Sequence, residues 1–290
     1  MNSIKYPLIF DKKRLRIHKE RSVKVFSDHD FLFVKMAELL CERLDYIKKD
    51  FPLVLDLGAK TGILARMLGE KKTIGRLLQM DNSHALLSAA SGDRIVADEE
   101  ALPFADDSFD LILSVGTLHW ANDLAGSLVQ IRKILKPDGL FIAMLFGGQT
   151  LKELRTSFEK AEIENRGGVS PRVSPFIDVQ TGGQLLQRAG FSLPVVDSDV
   201  IGVEYPHPLK LMKELRGMGE SNCMLGSAKE FTPCSLMMVA VDNYLRDYSN
   251  EHGRIEASFE IITLTGWKPC DLQPKPAVRG SGKVNLGDIL

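Results

Sequence analysis

Cysteine is scarce in this sequence. Cys41, Cys223, Cys234 and Cys270 lie far apart and form no C-x-x-C pair. That argues against a disulfide framework or a zinc site and makes a reducing compartment the default. Long apolar runs are missing too. Nothing approaches the roughly 18 residues of a membrane helix, so stable membrane insertion is not expected. The opening "MNSIKYPLIF" lacks the apolar core of a signal peptide. Charge of one sign is also absent. The net charge is −1, so no overall field draws the chain to nucleic acid or to a membrane surface. What remains is 290 residues, 44% hydrophobic and 26% charged, which suits a soluble globular protein with a sizeable core.

A basic stretch, "DKKRLRIHKERSVK" (11–24), mixes in Asp11 and Glu20. It reads as a solvated helix face rather than a nucleic-acid patch. His18 and Glu20 within it have an H-x-E spacing but no obvious third ligand, and no metal site is expected.

Beyond it, Phe33, Met36, Ala37, Leu40, Leu44 and Ile47 recur at helical spacing, with Asp28 or Asp30 as candidate N-cap. Strands are then predicted at 52–58, 73–81, 94–98, 109–120 and 140–148. Helices are predicted between them, the last stopped by Pro137 and Gly139. This alternation predicts a doubly wound α/β fold with a mostly parallel sheet, its ligands at the carboxyl ends of the strands. Late strands at 195–205 and 257–268 are expected to complete the same sheet, giving seven strands. The predicted organisation is a helical N-terminal extension (1–47) and one elaborated domain (48–290). Helical cap segments are placed near 150–190 and 207–250, and "RGGVSPRVSPF" reads as a mobile loop.

The chemistry starts at "LVLDLGAKTGILARML" (53–68). A strand, a glycine turn and a helix place backbone N–H groups at a ligand, and Gly58 and Gly62 permit a close approach. Asp81 ends the next strand, 19 residues after Gly62, where an acid accepts from a ribose diol. Dinucleotide sites use the same device, but their G-x-G-x-x-G differs from the G-x-x-x-G here. Asp98, ending the third strand before a Leu-Pro-Phe turn, is placed to accept from an exocyclic amine. Glu99 or Leu102 would flank an adenine.

The ordered set "LDLG…G", "MD", "ADEEALPF…FD" and "LKPDG" resembles the class I methyltransferases, which bind S-adenosylmethionine. The resemblance implies that Asp56, Gly58 and Gly62 face the methionine end, Asp81 the ribose and Asp98 the adenine. Lys60 stands where the family has glycine. If the turn needs positive φ there, lysine costs roughly 1–2 kcal/mol. Its ammonium is left with three readings: solvent, a pairing with the cofactor carboxylate or the substrate, or damage to cofactor binding.

Strings outside those motifs, among them "IFDKKRLRIHKERS", "GGVSPRVSPF", "GMGESN", "GWK" and "RGS", are similar to the mitochondrial complex I assembly factors credited with hydroxylating an arginine. "LHW" and "TLKELR" are also similar to the malonyl-carrier-protein methyltransferases of biotin synthesis. The resemblance implies a protein or acyl-carrier substrate, with a respiratory complex I subunit as the specific case. The matching region begins close to the first residue, so a bacterial, cytoplasmic protein without a transit peptide is expected.

Methyl transfer needs alignment above all. A carboxylate acceptor wants only a cation, for which Arg155, Arg172 or Lys60 is available. An amine or guanidine acceptor wants an acid such as Glu153 or Glu220. Hydroxylation needs an oxidant, and no residue pattern supplies one. His119 and Trp120 follow the fourth strand, over the expected reaction point, as loop packing or as substrate contacts. "GMGESN" (217–222) is a helix C-cap or a lid carrying Glu220, Ser221 and Asn222. Two further functions stay open: carrier methylation, and a non-catalytic assembly factor that keeps the fold.

Overall fold

The computed structural model describes residues 8–69, 71–227, 231–274 and 281. Residues 1–7, and Arg279 and Gly280 of the "RGS" string, lie outside them. Seven strands form one sheet: β1 (Phe51–Leu57), β2 (Ile74–Asp81), β3 (Asp93–Val96), β4 (Phe109–Val115), β5 (Leu135–Phe146), β6 (Ser192–Tyr205) and β7 (Ile255–Trp267). Their order is β3-β2-β1-β4-β5-β7-β6. Strands β1 to β5 pair in parallel, and β7 runs antiparallel to both β5 and β6. The chain order therefore reverses between β1 and β4, the switch point at which such sheets hold ligands.

The helices are α1 (Lys12–Ser22), α2 (Phe31–Asp45), α3 (Ile63–Leu68), α4 (His84–Leu87), α5 (Leu124–Ile134), α6 (Lys152–Arg166), α7 (Val179–Ala189), α8 (Pro208–Gly217) and α9 (Cys234–Tyr248). Strand periodicity sorts them onto two faces. In β5, Leu140, Ile142, Met144 and Phe146 join the core under α2, α3, α6 and α9, while Phe141, Ala143 and Leu145 join the core under α5 and α7. Burial on both faces explains why β5 reads as a continuous apolar run. Among the described residues no helix is long and apolar enough to cross a membrane.

Three expectations are corrected. The helix expected to run to Gly139 ends at Ile134, and Leu135 already belongs to β5. Leu135 pairs with Phe109 across an irregularity in the β4 ladder, and Lys136 is held by both oxygens of Asp110. Pairing thus wins over the helical period. The strand expected to reach Trp120 stops at Val115, because Gly116 turns at φ 58° and Leu118–Trp120 wind into a short 3-10 helix. The basic stretch is the third correction. It forms α1, capped by Asp11. Lys13, Arg14, Arg16 and Glu20 are solvated as expected, but the opposite side of α1, with Leu15 and Lys19, is buried.

Candidate functional site

At the switch point, β1 passes through Gly58 and Lys60 into α3, and β4 passes through Gly116 and Thr117. Gly58 takes φ 83°, and a Cβ there would lie 2.0 Å from Thr117 Oγ1. Only glycine permits that approach. Lys60 adopts φ 52°, the strained left-handed region, yet it is 3% exposed. This removes the solvent-facing reading. Its Nζ donates to Val115 O (2.8 Å), Gly116 O (2.7 Å) and Thr117 Oγ1 (3.0 Å), and it sits 4.3 Å from the centre of the Phe33 ring. All three ammonium protons have acceptors, and the side chain bridges the crevice between β1 and β4. Burial, then the neighbouring Lys19, pushes its pKa down to about 8.

The acids predicted for a cofactor come together, but their partners belong to the chain itself. Asp81 is 1% exposed. One oxygen accepts from Lys19 Nζ (3.2 Å) and Ser83 N (2.8 Å), and the other from Lys60 N (3.1 Å). Burial alone would raise its pKa, but Lys19 and Lys60 hold it below the ordinary carboxylate value. Glu99, also buried, accepts from Lys12 Nζ (2.6 Å) and Asn82 Nδ2 (3.0 Å). Lys19 reaches Asn82 Oδ1 as well, at 2.9 Å, so the chain of contacts runs unbroken from Lys12 to Lys60. Asp98 stays partly exposed, 3.5 Å from Lys12. Asp56 is buried with Oδ2 unpartnered. Gly62 turns at φ 77° to start α3.

Lys12 and Lys19 were not singled out by pattern. The available signal was their spacing: Lys12, Leu15 and Lys19 fall at i, i+3 and i+7, one stripe of a helix. Leu15 packs with Phe10, Trp120, Cys223 and Met224 beneath that stripe. Of the two residues that cradle Lys60, Thr117 carries no sequence signal, and Phe33 reads only as an apolar position of the α2 helical pattern.

A cavity of about 210 Å³ lies beside this cluster, walled by Trp120, Phe146, Phe158, Phe176, Phe259 and Leu154, with Glu220 and Asn222 at its lining. Glu220 Oε2 accepts from Trp120 Nε1 (2.9 Å) and contacts His119 Nε2 (3.1 Å). Glu220 Oε1 has no hydrogen bond among the described residues. His119 stands behind Glu220, packed on Phe146 and Phe176 at 4.9 and 5.8 Å, with Nδ1 buried and unpartnered. Asn222 braces the wall, donating to Pro171 O and accepting from Met224 N.

Three other candidates lie in other contacts or are already engaged. Arg155 lines a separate groove and reaches Gly148 O and Thr150 O at 3.4 Å. Arg172 touches the cavity, but its guanidinium is spent on Glu162 and Thr232. Glu153 is buried against Ser258 of β7 and is structural. The arrangement therefore offers a chamber rich in aromatic rings, lined also by Arg172 and Arg216, in which Glu220 keeps one oxygen without a hydrogen bond. That carboxylate suits a cation with a flat or methylene-rich stem.

A methyltransferase domain model matches residues 55–143. The chain is 34% identical to malonyl-[acyl-carrier protein] O-methyltransferase 1 of Coxiella burnetii, over 78% of this chain and 77% of that protein. Among solved structures, Haemonchus contortus phosphoethanolamine N-methyltransferase 2, in complex with S-adenosylhomocysteine, superposes with a TM-score of 0.56 at 16% identity. The match covers 88% of this chain and 60% of that one. Arginine-hydroxylase NDUFAF5, mitochondrial, of Rattus norvegicus is 43% identical over 97% of this chain and 83% of its own length. Identity of that order along nearly the whole chain, on a seven-stranded class I methyltransferase sheet, shows that this protein belongs to the family of the NDUFAF5 arginine-hydroxylases.

Proposed function

We propose that this chain acts on an arginine, or a similar cationic side chain, of a protein substrate during assembly of a respiratory complex, in the cytoplasm of a bacterium. The observation that carries the reading is Glu220. It keeps one oxygen without a hydrogen bond and lines a chamber rich in aromatic rings, which Arg172 and Arg216 also line. A guanidinium stacks on aromatic faces and pairs with a carboxylate in the same pose. His119 and Trp120 fix Glu220 from behind, so the carboxylate is positioned before the substrate arrives. The relatives that hydroxylate arginine support the same substrate class.

S-adenosylmethionine is the cofactor to which the methyltransferase domain points. The acids suited to hold it are present, but as folded here they do not fit it. Each Asp81 and Glu99 oxygen already accepts from Lys19, Lys12, Lys60, Ser83 or Asn82. The Lys60 side chain fills the crevice at the turn. What this chain's own residues do is bind and orient the substrate cation at Glu220 and exclude water around it with Phe146, Phe176 and Trp120.

Carrier methylation is one alternative: of the two arginines lining the cavity, Arg172 is engaged by Glu162, which leaves Arg216 as the cation for a carboxylate acceptor. The closed cofactor cluster favours, as the second reading, an assembly factor without turnover. The test is mass spectrometry of an arginine-bearing complex I subunit after incubation with the protein and S-adenosylmethionine, with dioxygen and a two-electron reductant supplied for the hydroxylation arm. A gain of one methylene marks methylation, and a gain of one oxygen marks hydroxylation. Glu220→Gln should abolish either gain and weaken capture of the unmodified subunit by about tenfold or more, the loss of a charge-assisted pair. Unchanged capture by Glu220→Gln would sink the assignment. Capture by the parent without modification would select the assembly reading.

A further inference from the structure

The helix that supplies Lys12 and Lys19 is also tied to the loop that supplies Glu220. Asp11 N donates to Cys223 O at 2.8 Å, His18 Nδ1 lies 3.2 Å from Ser221 O, and Arg14 reaches Ser227 Oγ at 3.2 Å. Gly219, at φ 79°, lets the loop pass against α1, where an added Cβ would meet Ser22 Oγ at 3.2 Å and Lys19 Cα at 3.4 Å. Leu15 is wholly buried with Trp120, Cys223 and Met224. The helix and residues 219–227 are thus one packed unit. That unit lays two lysines, two helical turns apart, on the two buried acids of the cofactor crevice.

We infer that α1 and its loop form a self-occupying strap, in which Lys19 on Asp81 and Lys12 on Glu99 hold the place of the cofactor, so that strap and cofactor exclude one another. This rests on the reading that S-adenosylmethionine is the cofactor. Asp81 already accepts three hydrogen bonds, from Lys19 Nζ, Ser83 N and Lys60 N, which leaves at most one of about four acceptor sites, too few for both hydroxyls of a ribose diol. Entry of the cofactor therefore requires Lys19 to leave. Because Lys19 is joined through α1 to the Glu220 loop, its departure also moves the carboxylate of the substrate chamber. Lys60 adds a second barrier at the turn itself, and it stays in place when α1 swings out. The apparent affinity for the cofactor is then the intrinsic affinity reduced by the fraction of molecules with the strap open.

Two measurements test this on the full-length protein. Calorimetric titration with S-adenosylmethionine should show weak binding by the parent. Binding should be tighter by about tenfold or more for Lys19→Ala, and tighter again for Lys19→Ala combined with Lys60→Gly. Hydrogen exchange on the parent, which needs no variant to fold, should show the α1 amides losing protection when S-adenosylmethionine is added at millimolar concentration. Tight binding by the parent with α1 protection unchanged overturns the strap while leaving the cofactor reading standing. Absence of binding by the parent and by both variants, with their folds intact, overturns the cofactor reading and the strap with it.

Discussion

Asp56 lies fully buried in β1 with one oxygen lacking a partner, and burial lifts its pKa to about 7 against the attraction of Lys60. Between about pH 4 and 7 the folded chain holds a proton there that the unfolded chain releases. This contribution to stability is complete at low pH and is lost as pH rises toward 7. Asp56→Asn should flatten that segment of the stability curve, by an amount on the order of a few kcal/mol. Urea titrations across the range will show it, and an unaltered slope would mean that Asp56 ionises normally. Lys60 works in the opposite sense on another window. Its folded pKa of about 8 lies below the ordinary lysine value of 10.5, so stability rises with pH between those values. Gly58 is a steric matter. Gly58→Ala drives a methyl group into Thr117 at positive φ, and a loss of about 2 kcal/mol or more is expected from the overlap and the strain together. A melting temperature within a degree or so of the parent would show that Thr117 moves aside freely.

At the scale of elements, α1 is held mainly by Leu15. Leu15→Ala should cost the α1 unit about 2–4 kcal/mol by the usual loss for a buried leucine. Limited trypsin digestion should then cut at Lys12–Lys24 much faster than in the parent while the sheet survives. Equal digestion rates would place the hold in the lysine pairs instead. The sheet and its helices were legible because each rests on local pattern: period 2 or unbroken apolar runs in the strands, and glycine and aspartate at the turns. Asp81 was legible as the end of β2, whereas Asp98, expected to end the third strand, lies two residues beyond β3, which stops at Val96. The pairing of Lys19 with Asp81 was not legible. It joins residues 62 apart, and a basic helix has the same local pattern whether its lysines meet water or buried carboxylates. Lys60 was visible as an exception, but its direction depended on Thr117 and Phe33, which only the folded crevice brings near. Glu153 and Arg155 show the converse. Both sit on α6 near the right loop, yet the helix aims Glu153 into β7 and Arg155 at a different groove.

For the whole molecule, the sheet order sets a gradient of order. Strands β1, β4 and β5 are paired on both sides and covered on both faces. Strand β3 is a four-residue edge with little burial. Hydrogen exchange should therefore be slowest in β1, β4 and β5 and fastest in β3. Protection in β3 equal to that in β4 would point to a partner covering that edge. Arg43 of α2, which grips Asp197 of the opposite edge strand through two nitrogens, holds β6 to the body from outside.

The antiparallel insertion of β7 between β5 and β6 has a consequence during synthesis. About 110 residues separate the end of β5 from the start of β7, which a ribosome takes on the order of 5–20 s to add. Throughout that interval the nascent chain carries β5 as a bare apolar edge. Strand β6 leaves the tunnel first, so the wrong partner reaches β5 before the right one. Release of β6 from such a premature pairing, to admit β7, would then set the pace at which newly made molecules mature.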